Sequence, residues 1–285
     1  MKLVSFGPSG EERPGVVAGG DIVDLRAVSS SFPETVREIL ARDLLDEVRA
    51  VLARADSLPR SARHPRAGLR LGPPIVNPSK IICLGLNYAD HAIEQGKTAP
   101  DYPMMFAKGP NSLAGDGDVT PYPLGVEQFD YEVELAFVMG RRARRVSRGE
   151  AYGHVAGYAV FMDLSARDLQ AKEKQWFRAK STDGSGPLGP WLVTRDEVPD
   201  PHALDISLTL NGETMQSSRT DRMSYTVDFL VHHISQTATL EPGDVIATGT
   251  PAGVGMYRKP PVFLKRGDRL VATVERLGSL TCSIG

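Results

Sequence analysis

Cysteine is nearly absent: the 285 residues hold two, Cys83 and Cys282. A disulfide-built secreted scaffold needs more than that. Neither residue has a partner at metal-site spacing, so both read as reduced, packed thiols. Net charge is nearly absent as well. Lys plus Arg number 33 and Asp plus Glu 35, so no global field draws in nucleic acid or an anionic membrane. The one basic run, Arg141, Arg142, Arg144 and Arg145, has no aromatic platform beside it and reads as a solvated loop. No stretch of about 18 apolar residues is present, which excludes a membrane-spanning helix. The apolar run after Met1 is too short for a signal peptide. The expectation is a cytoplasmic protein with neither nucleic acid nor membrane as partner.

What is present is ordinary globular composition, 41% hydrophobic and 24% charged, on a chain long enough for a full core. Residues 1–58 read as a small module. Lys2–Phe6 and Gly20–Leu25 are short strands. Pro33 to about Ala55 is a helix, with Leu40, Leu44, Val48 and Val51 on one face and Pro33 in its first turn. Five prolines between residues 59 and 79 mark a linker. From residue 80 to 285, short apolar runs alternate with Gly- and Pro-rich turns. Strands are expected at Ile81–Leu84, Gln128–Met139, Val155–Met162, Val245–Thr248 and Arg269–Val274. Ile206–Leu210, Asn211-Gly212 and Glu213–Gln216 form a hairpin with a favoured two-residue turn. Helices are few: Ser165 to about Trp176, capped by Ser165, and Tyr225 to about Thr237. Loops at 95–128 and 249–266 are long enough to be functional. Strands do not alternate with helices, so the fold class is mainly β (α+β), a mixed, folded-over or barrel-like sheet.

One strand carries chemistry. In Tyr131–Met139, Tyr131, Val133, Leu135, Phe137 and Met139 share one face, and Glu132 and Glu134 share the other. Two carboxylates on an otherwise apolar strand repel, and burial makes the repulsion worse. Either a divalent cation or protonation of one glutamate relieves it. Asp163 ends the apolar run Tyr158–Met162, where it is a capping aspartate or a third ligand. Three oxygens without a matching histidine suit a hard cation, Mg²⁺ or Mn²⁺, better than zinc.

Five motifs then occur in order: Gly85-Leu-Asn-Tyr-Ala-Asp-His91-Ala-Ile-Glu94, Tyr131-Glu-Val-Glu-Leu135, Asp163-Leu-Ser-Ala-Arg-Asp-Leu-Gln170, Arg178-Ala-Lys180 and Thr248-Gly-Thr-Pro-Ala-Gly-Val-Gly255. Together they resemble the fumarylacetoacetate hydrolase superfamily, over roughly residues 72–285. The leading segment resembles that of its bacterial diketo-acid hydrolase and 2-hydroxyhepta-2,4-diene-1,7-dioate isomerase-like branch. The resemblance implies a mixed β-sheet roll, a homodimer, and a divalent ion, Mg²⁺ or Mn²⁺ with Ca²⁺ as a further candidate. It implies metal ligands at Glu132, Glu134 and Asp163, and an active-site lysine at Lys180. Substrate contacts are implied at Gln170, Thr250 and Gly249. His91 and Glu94 are implied as the water-activating pair. Their spacing of three puts them within reach on one helical turn, and the loop beyond, with Gly96 and Pro100, is a candidate lid.

The implied reaction is metal-dependent hydrolysis of a carbon–carbon bond in a 2,4-dioxo acid. His91 would activate water, and Lys180 would help to hold the pyruvate-like enolate. Two alternatives stand beside it: isomerisation or decarboxylation of a 2-hydroxymuconate-type diacid, and a non-catalytic metal-binding protein. Some acylpyruvate-hydrolysing relatives carry arginine where this chain has Leu86. That difference weakens the case for a small substrate such as oxaloacetate or acetylpyruvate, and the branch with a similar leading segment implies sugar-acid-derived diketo acids. His232 and His233 have no acidic partner in the sequence and read as structural.

Overall fold

The computed structural model describes residues 1–285. A twelve-stranded mixed sheet runs through the molecule. Ten of its strands run in the order Arg63–Pro65, Asp21–Asp24, Arg13–Ala18, Lys2–Phe6, Gly186–Thr194, Val155–Met162, Val133–Met139, Val245–Ala247, Ile81–Gly85 and Met104–Lys108, and two short ones, Leu71–Gly72 and Leu113–Ala114, pair off that path with Lys2–Phe6 and Gly186–Thr194. A five-stranded sheet, ordered Glu213–Arg219, Asp205–Leu210, Arg269–Val274, Gly278–Ile284 and Val119–Thr120, packs across it. The architecture is sheet-dominated α+β without a closed barrel. No helix is long and apolar enough to cross a membrane.

The strand Val133–Met139 is buried along its whole length and separates two cores. Val133, Leu135, Phe137 and Met139 face the larger one, shared with the five-stranded sheet and the helix Val227–Thr237. Ala136 and Val138 face the smaller one, shared with the N-terminal helices. This is the two-residue alternation of a strand with apolar cover on both sides. Glu134 lies on the Ala136 side, at the end of the strand where that cover stops.

Several elements differ from expectation. The long N-terminal helix is two, Val36–Ala41 and Leu45–Ala53, because Asp43 between them sits at φ 56°. Pro33 lies before the first helix rather than in its first turn, and Thr35 caps that helix by accepting from the Glu38 N–H. The apolar spacing carries across the break because both helices pack on the same core. Ser165 does not cap a helix. With Ala166 it pairs with Phe129–Asp130, and the helix that follows spans Arg167–Lys172; a separate short helix spans Phe177–Lys180. The stretch 59–79 contains two short strands, Arg63–Pro65 and Leu71–Gly72, paired with Asp21–Asp24 and Lys2–Phe6. Lys2–Phe6 itself pairs with Gly186–Thr194, so the leading segment extends the main sheet. The 95–128 region includes strands Met104–Lys108 and Val119–Thr120. Strands at Gly186–Thr194 and Gly278–Ile284 escape a reading from sequence, because glycine and proline in the first mimic a turn and pairing on both edges overrides that preference.

Candidate active site

Register brings the acidic residues together. Val133 pairs with Met162 across antiparallel strands, so the start of one strand, at Glu134, meets the end of the other, at Asp163. The Asp163 N–H donates to the Glu132 carbonyl at 3.0 Å. Ala136 pairs with Ala247, which carries Gly249 beside Glu134. The Gly249 N–H donates to Glu134 Oε2 at 2.8 Å. Gly249 has φ +95°, and a Cβ there would stand 3.0 Å from Asn87 Cβ, so the close approach requires glycine. One oxygen from each of Glu132, Glu134 and Asp163 lies within 4.8 Å of the others, and all three residues are buried.

Three buried cations surround this cluster. Lys180 Nζ bridges Glu132 Oε2 and Asp163 Oδ2, each at 2.7 Å. Lys108 Nζ donates to Asp163 Oδ1 at 2.8 Å. Arg167 forks, with Nε to Asp130 Oδ2 at 2.8 Å and Nη2 to Glu132 Oε1 at 2.6 Å. Burial alone would raise the Glu132 carboxyl, but Arg167 and Lys180 hold it well below the usual carboxylate range. Burial works against the charge on Lys180, and Asp163 and Glu132 outweigh it, so its pKa is raised. Glu134 differs. Its partner is the Gly249 amide and no cation pairs with it; burial, then Asp163 and Glu132, push its carboxyl well above the ordinary value. A buried carboxylate left without a counter-charge beside two others is the arrangement that a hard divalent cation relieves. The all-oxygen donor set fits that ion.

Lys108, Asp130 and Arg167 escape the sequence reading. Only Arg167 leaves a local trace, as the residue three before Gln170 on one helical face; its Nη1 donates to Gln170 Oε1 at 3.0 Å. Replacing Arg167 with methionine leaves the buried Asp130 without a counter-charge and Glu132 with Lys180 alone. We expect a loss of about 3–5 kcal/mol in stability, read by chemical denaturation. Arg167→Lys recovers part of it, since an ammonium cannot fork between Asp130 and Glu132.

A cavity of about 290 Å³ opens onto the cluster, lined by His91, Gln170, Lys180 and Thr250 together with Glu132 and Glu134. The sequence-derived residues therefore converge on one site, with Gly249 behind Glu134. Thr250 donates its hydroxyl proton to the Val133 carbonyl at 2.9 Å and accepts from Gln216 Nε2 at 2.8 Å. Its side chain must give up the first bond before it can donate to a ligand.

His91 and Glu94 lie on the helix Ala89–Glu94 and touch, Nδ1 to Oε2 at 2.9 Å. The Gly253 N–H fixes the other Glu94 oxygen at 2.9 Å. The tautomer follows from the neighbours. Lys97 Nζ can only donate, and it meets Gln95 Oε1 at 3.0 Å. Gln95 Nε2 therefore donates to His91 Nε2 at 2.8 Å. His91 Nε2 is then the lone-pair nitrogen, and Nδ1 carries the proton shared with Glu94. This is the tautomer a general base requires, with its lone pair at Nε2 held by Gln95.

Residues 80–285 match the fumarylacetoacetate (FAA) hydrolase C-terminal family. The chain belongs to that family. Over 99% of its length it is 41% identical to the mitochondrial oxaloacetate tautomerase of Xenopus laevis, covering 89% of that protein. It is 44% identical to a bovine mitochondrial oxaloacetate tautomerase over 91% of this chain and 82% of the relative. Among solved structures, fumarylacetoacetate hydrolase from Exiguobacterium antarcticum superposes with a TM-score of 0.85 at 36% identity, over 100% of this chain and 99% of that one. Maleylpyruvate hydrolase from Sphingobium sp. SYK-6, in complex with manganese(II) and pyruvate, does so with a TM-score of 0.81 at 30% identity, over 100% and 98%. Fumarylacetoacetate hydrolase family proteins are enzymes, hydrolases and tautomerases among them.

Proposed function

We propose that this family member interconverts the keto and enol forms of a short 2-oxo diacid of the oxaloacetate type. The observation that carries the reading is His91 in its basic tautomer, lining the same small cavity as Glu132 and Glu134. Glu132, Glu134 and Asp163 would hold a Mg²⁺ or Mn²⁺ ion, which would supply Lewis acidity to the 2-oxo group. The chain's own groups do the rest. His91 Nε2 removes a proton from C3 of the acid. The C–H electron pair becomes the C2–C3 double bond, and the charge moves to the C2 oxygen. The Lys180 ammonium offsets that charge. Glu94 stabilises the imidazolium that results, and return of the proton to oxygen completes the enol. The cavity stands at the low end of the roughly 300–1,000 Å³ usual for small-molecule sites. That size, together with the tautomerase relatives, supports a four-carbon acid over the larger diketo acids that the leading segment's resemblance implies.

A second reading is hydrolysis of a 2,4-dioxo acid, with the same His91–Glu94 pair taking a proton from water. Glu94's double anchorage, to His91 and to the Gly253 N–H, serves either reaction, and the solved hydrolases among the relatives are what favour this one. The test is proton NMR in D₂O with Mg²⁺. Oxaloacetate should exchange its C3 protons far faster with protein and metal than with metal alone, and EDTA should remove the gain. Exchange no faster than with metal alone, with mass spectrometry showing cleavage of acylpyruvates, would replace tautomerisation by hydrolysis. The homodimer implied by family resemblance is proposed too, and light scattering of the purified chain checks it.

A further inference from the structure

The lone pair assigned to catalysis is covered. Gln95 Nε2 sits on His91 Nε2 at 2.8 Å, and Gln95 Oε1 is held by Lys97 Nζ at 3.0 Å. While Gln95 stays there, His91 cannot take a proton from any ligand. Backbone geometry fixes where the cap comes from. The helix ends at Glu94, Gly96 takes φ +65°, and the Lys97 N–H returns to the Ala92 carbonyl at 2.9 Å. That turn sets Lys97 beside Gln95, with both side chains at the cavity.

Lys97 differs from the other cations there. Arg167 and Lys180 line the same cavity but are tied to buried carboxylates. Lys97 is exposed, and the hydrogen bond its ammonium makes is to the Gln95 amide. A carboxylate carries a full negative charge and attracts an ammonium more strongly than a neutral amide oxygen does. An acid whose 2-oxo end lies at the acidic cluster and whose other end carries a carboxylate has Lys97 as an available cation.

We propose that Gln95 is a removable cap on the His91 base, and that Lys97 releases it when a second carboxylate binds. The substrate class that unlocks the site is therefore a 2-oxo dicarboxylate; a monocarboxylate leaves the cap in place. Gln95 and Lys97 act as positioning residues, through His91. The inference rests on the reading of His91 as the base, and it deepens that reading.

Two measurements test it on the Mg²⁺-loaded full chain. The first is the ¹⁵N resonance of His91 Nε2, identified by its loss in His91→Gln. L-malate, an unreactive dicarboxylate, should shift it, and 2-hydroxybutyrate, the matching monocarboxylate, should not. In Lys97→Met the two acids should give the same response. The second is C3 deuterium exchange. Gln95→Ala should raise kcat for 2-oxobutyrate about tenfold at nearly constant KM, because the closed population is removed. Oxaloacetate should gain much less. A malate titration that leaves Nε2 unmoved overturns the proposal. So does a Gln95→Ala variant that slows both acids equally, since Gln95 would then only support the imidazole. If neither acid exchanges with the unmodified protein but malate still moves Nε2, the tautomerase reading falls and the cap stands.

Discussion

Glu134→Gln should lose cation binding while keeping the fold. The variant removes the acidic residue that has an amide partner but no counter-charge. Changing residues that merely orient metal ligands costs about 10–100-fold in affinity, so loss of a ligand should cost at least the upper end. An ion at about 100 times its Kd stabilises a protein by roughly 2.7 kcal/mol. For a chain of this size that is about 5–10 °C in Tm, and the variant should forfeit it. Metal-free, the variant should be at least as stable as the parent. Because the folded Glu134 carboxyl is raised, it is neutral in both states well below the ordinary carboxylate range. As pH rises through that range the unfolded chain releases the proton first, so the metal-free parent loses stability. Glu134→Gln should flatten that decline. An unchanged Mn²⁺ titration isotherm would remove Glu134 from the ligand set.

The second large effect is expected at His91, the proposed base. His91→Ala should lower kcat by about 10²–10⁴ and leave Mn²⁺ affinity unchanged, because no hydrogen bond joins His91 to the carboxylate cluster. Calorimetry and exchange kinetics on the same preparation separate the two. A variant with near-normal turnover would transfer the base role elsewhere in the cavity.

How much of this could be read from the chain depends on whether the signal is local. Of the strand expected over Gln128–Met139, the Val133–Met139 part is legible because side-chain alternation is a two-residue property, and its two faces do meet two different cores; the ladder breaks at Tyr131–Glu132, and Phe129–Asp130 pairs separately with Ser165–Ala166. Glu132 and Glu134 stood out as charges in an apolar run. Asp163 was ambiguous by itself. What makes it a member of the cluster is the pairing of Val133 with Met162, a contact between segments that sequence spacing does not display. Lys108 reaches Asp163 from 55 positions away, and nothing near it in sequence announces that. Arg167 is adjacent to recognisable residues, but its fork to Asp130 and Glu132 depends on the small Ser165–Ala166 strand, which replaced an expected helix start. Gln95 and Lys97 look like ordinary polar loop residues until the turn at Gly96 folds them back over His91.

The buried charges also set an order of events. Asp130, Glu132, Glu134 and Asp163 face Lys108, Arg167 and Lys180. With all seven ionised the group carries one negative charge in excess, and with Glu134 protonated it is neutral. A bound divalent cation would make it positive in either case, so the acid of the proposed reaction would be drawn in after the ion. The rate at which that acid enters should then fall as ionic strength rises.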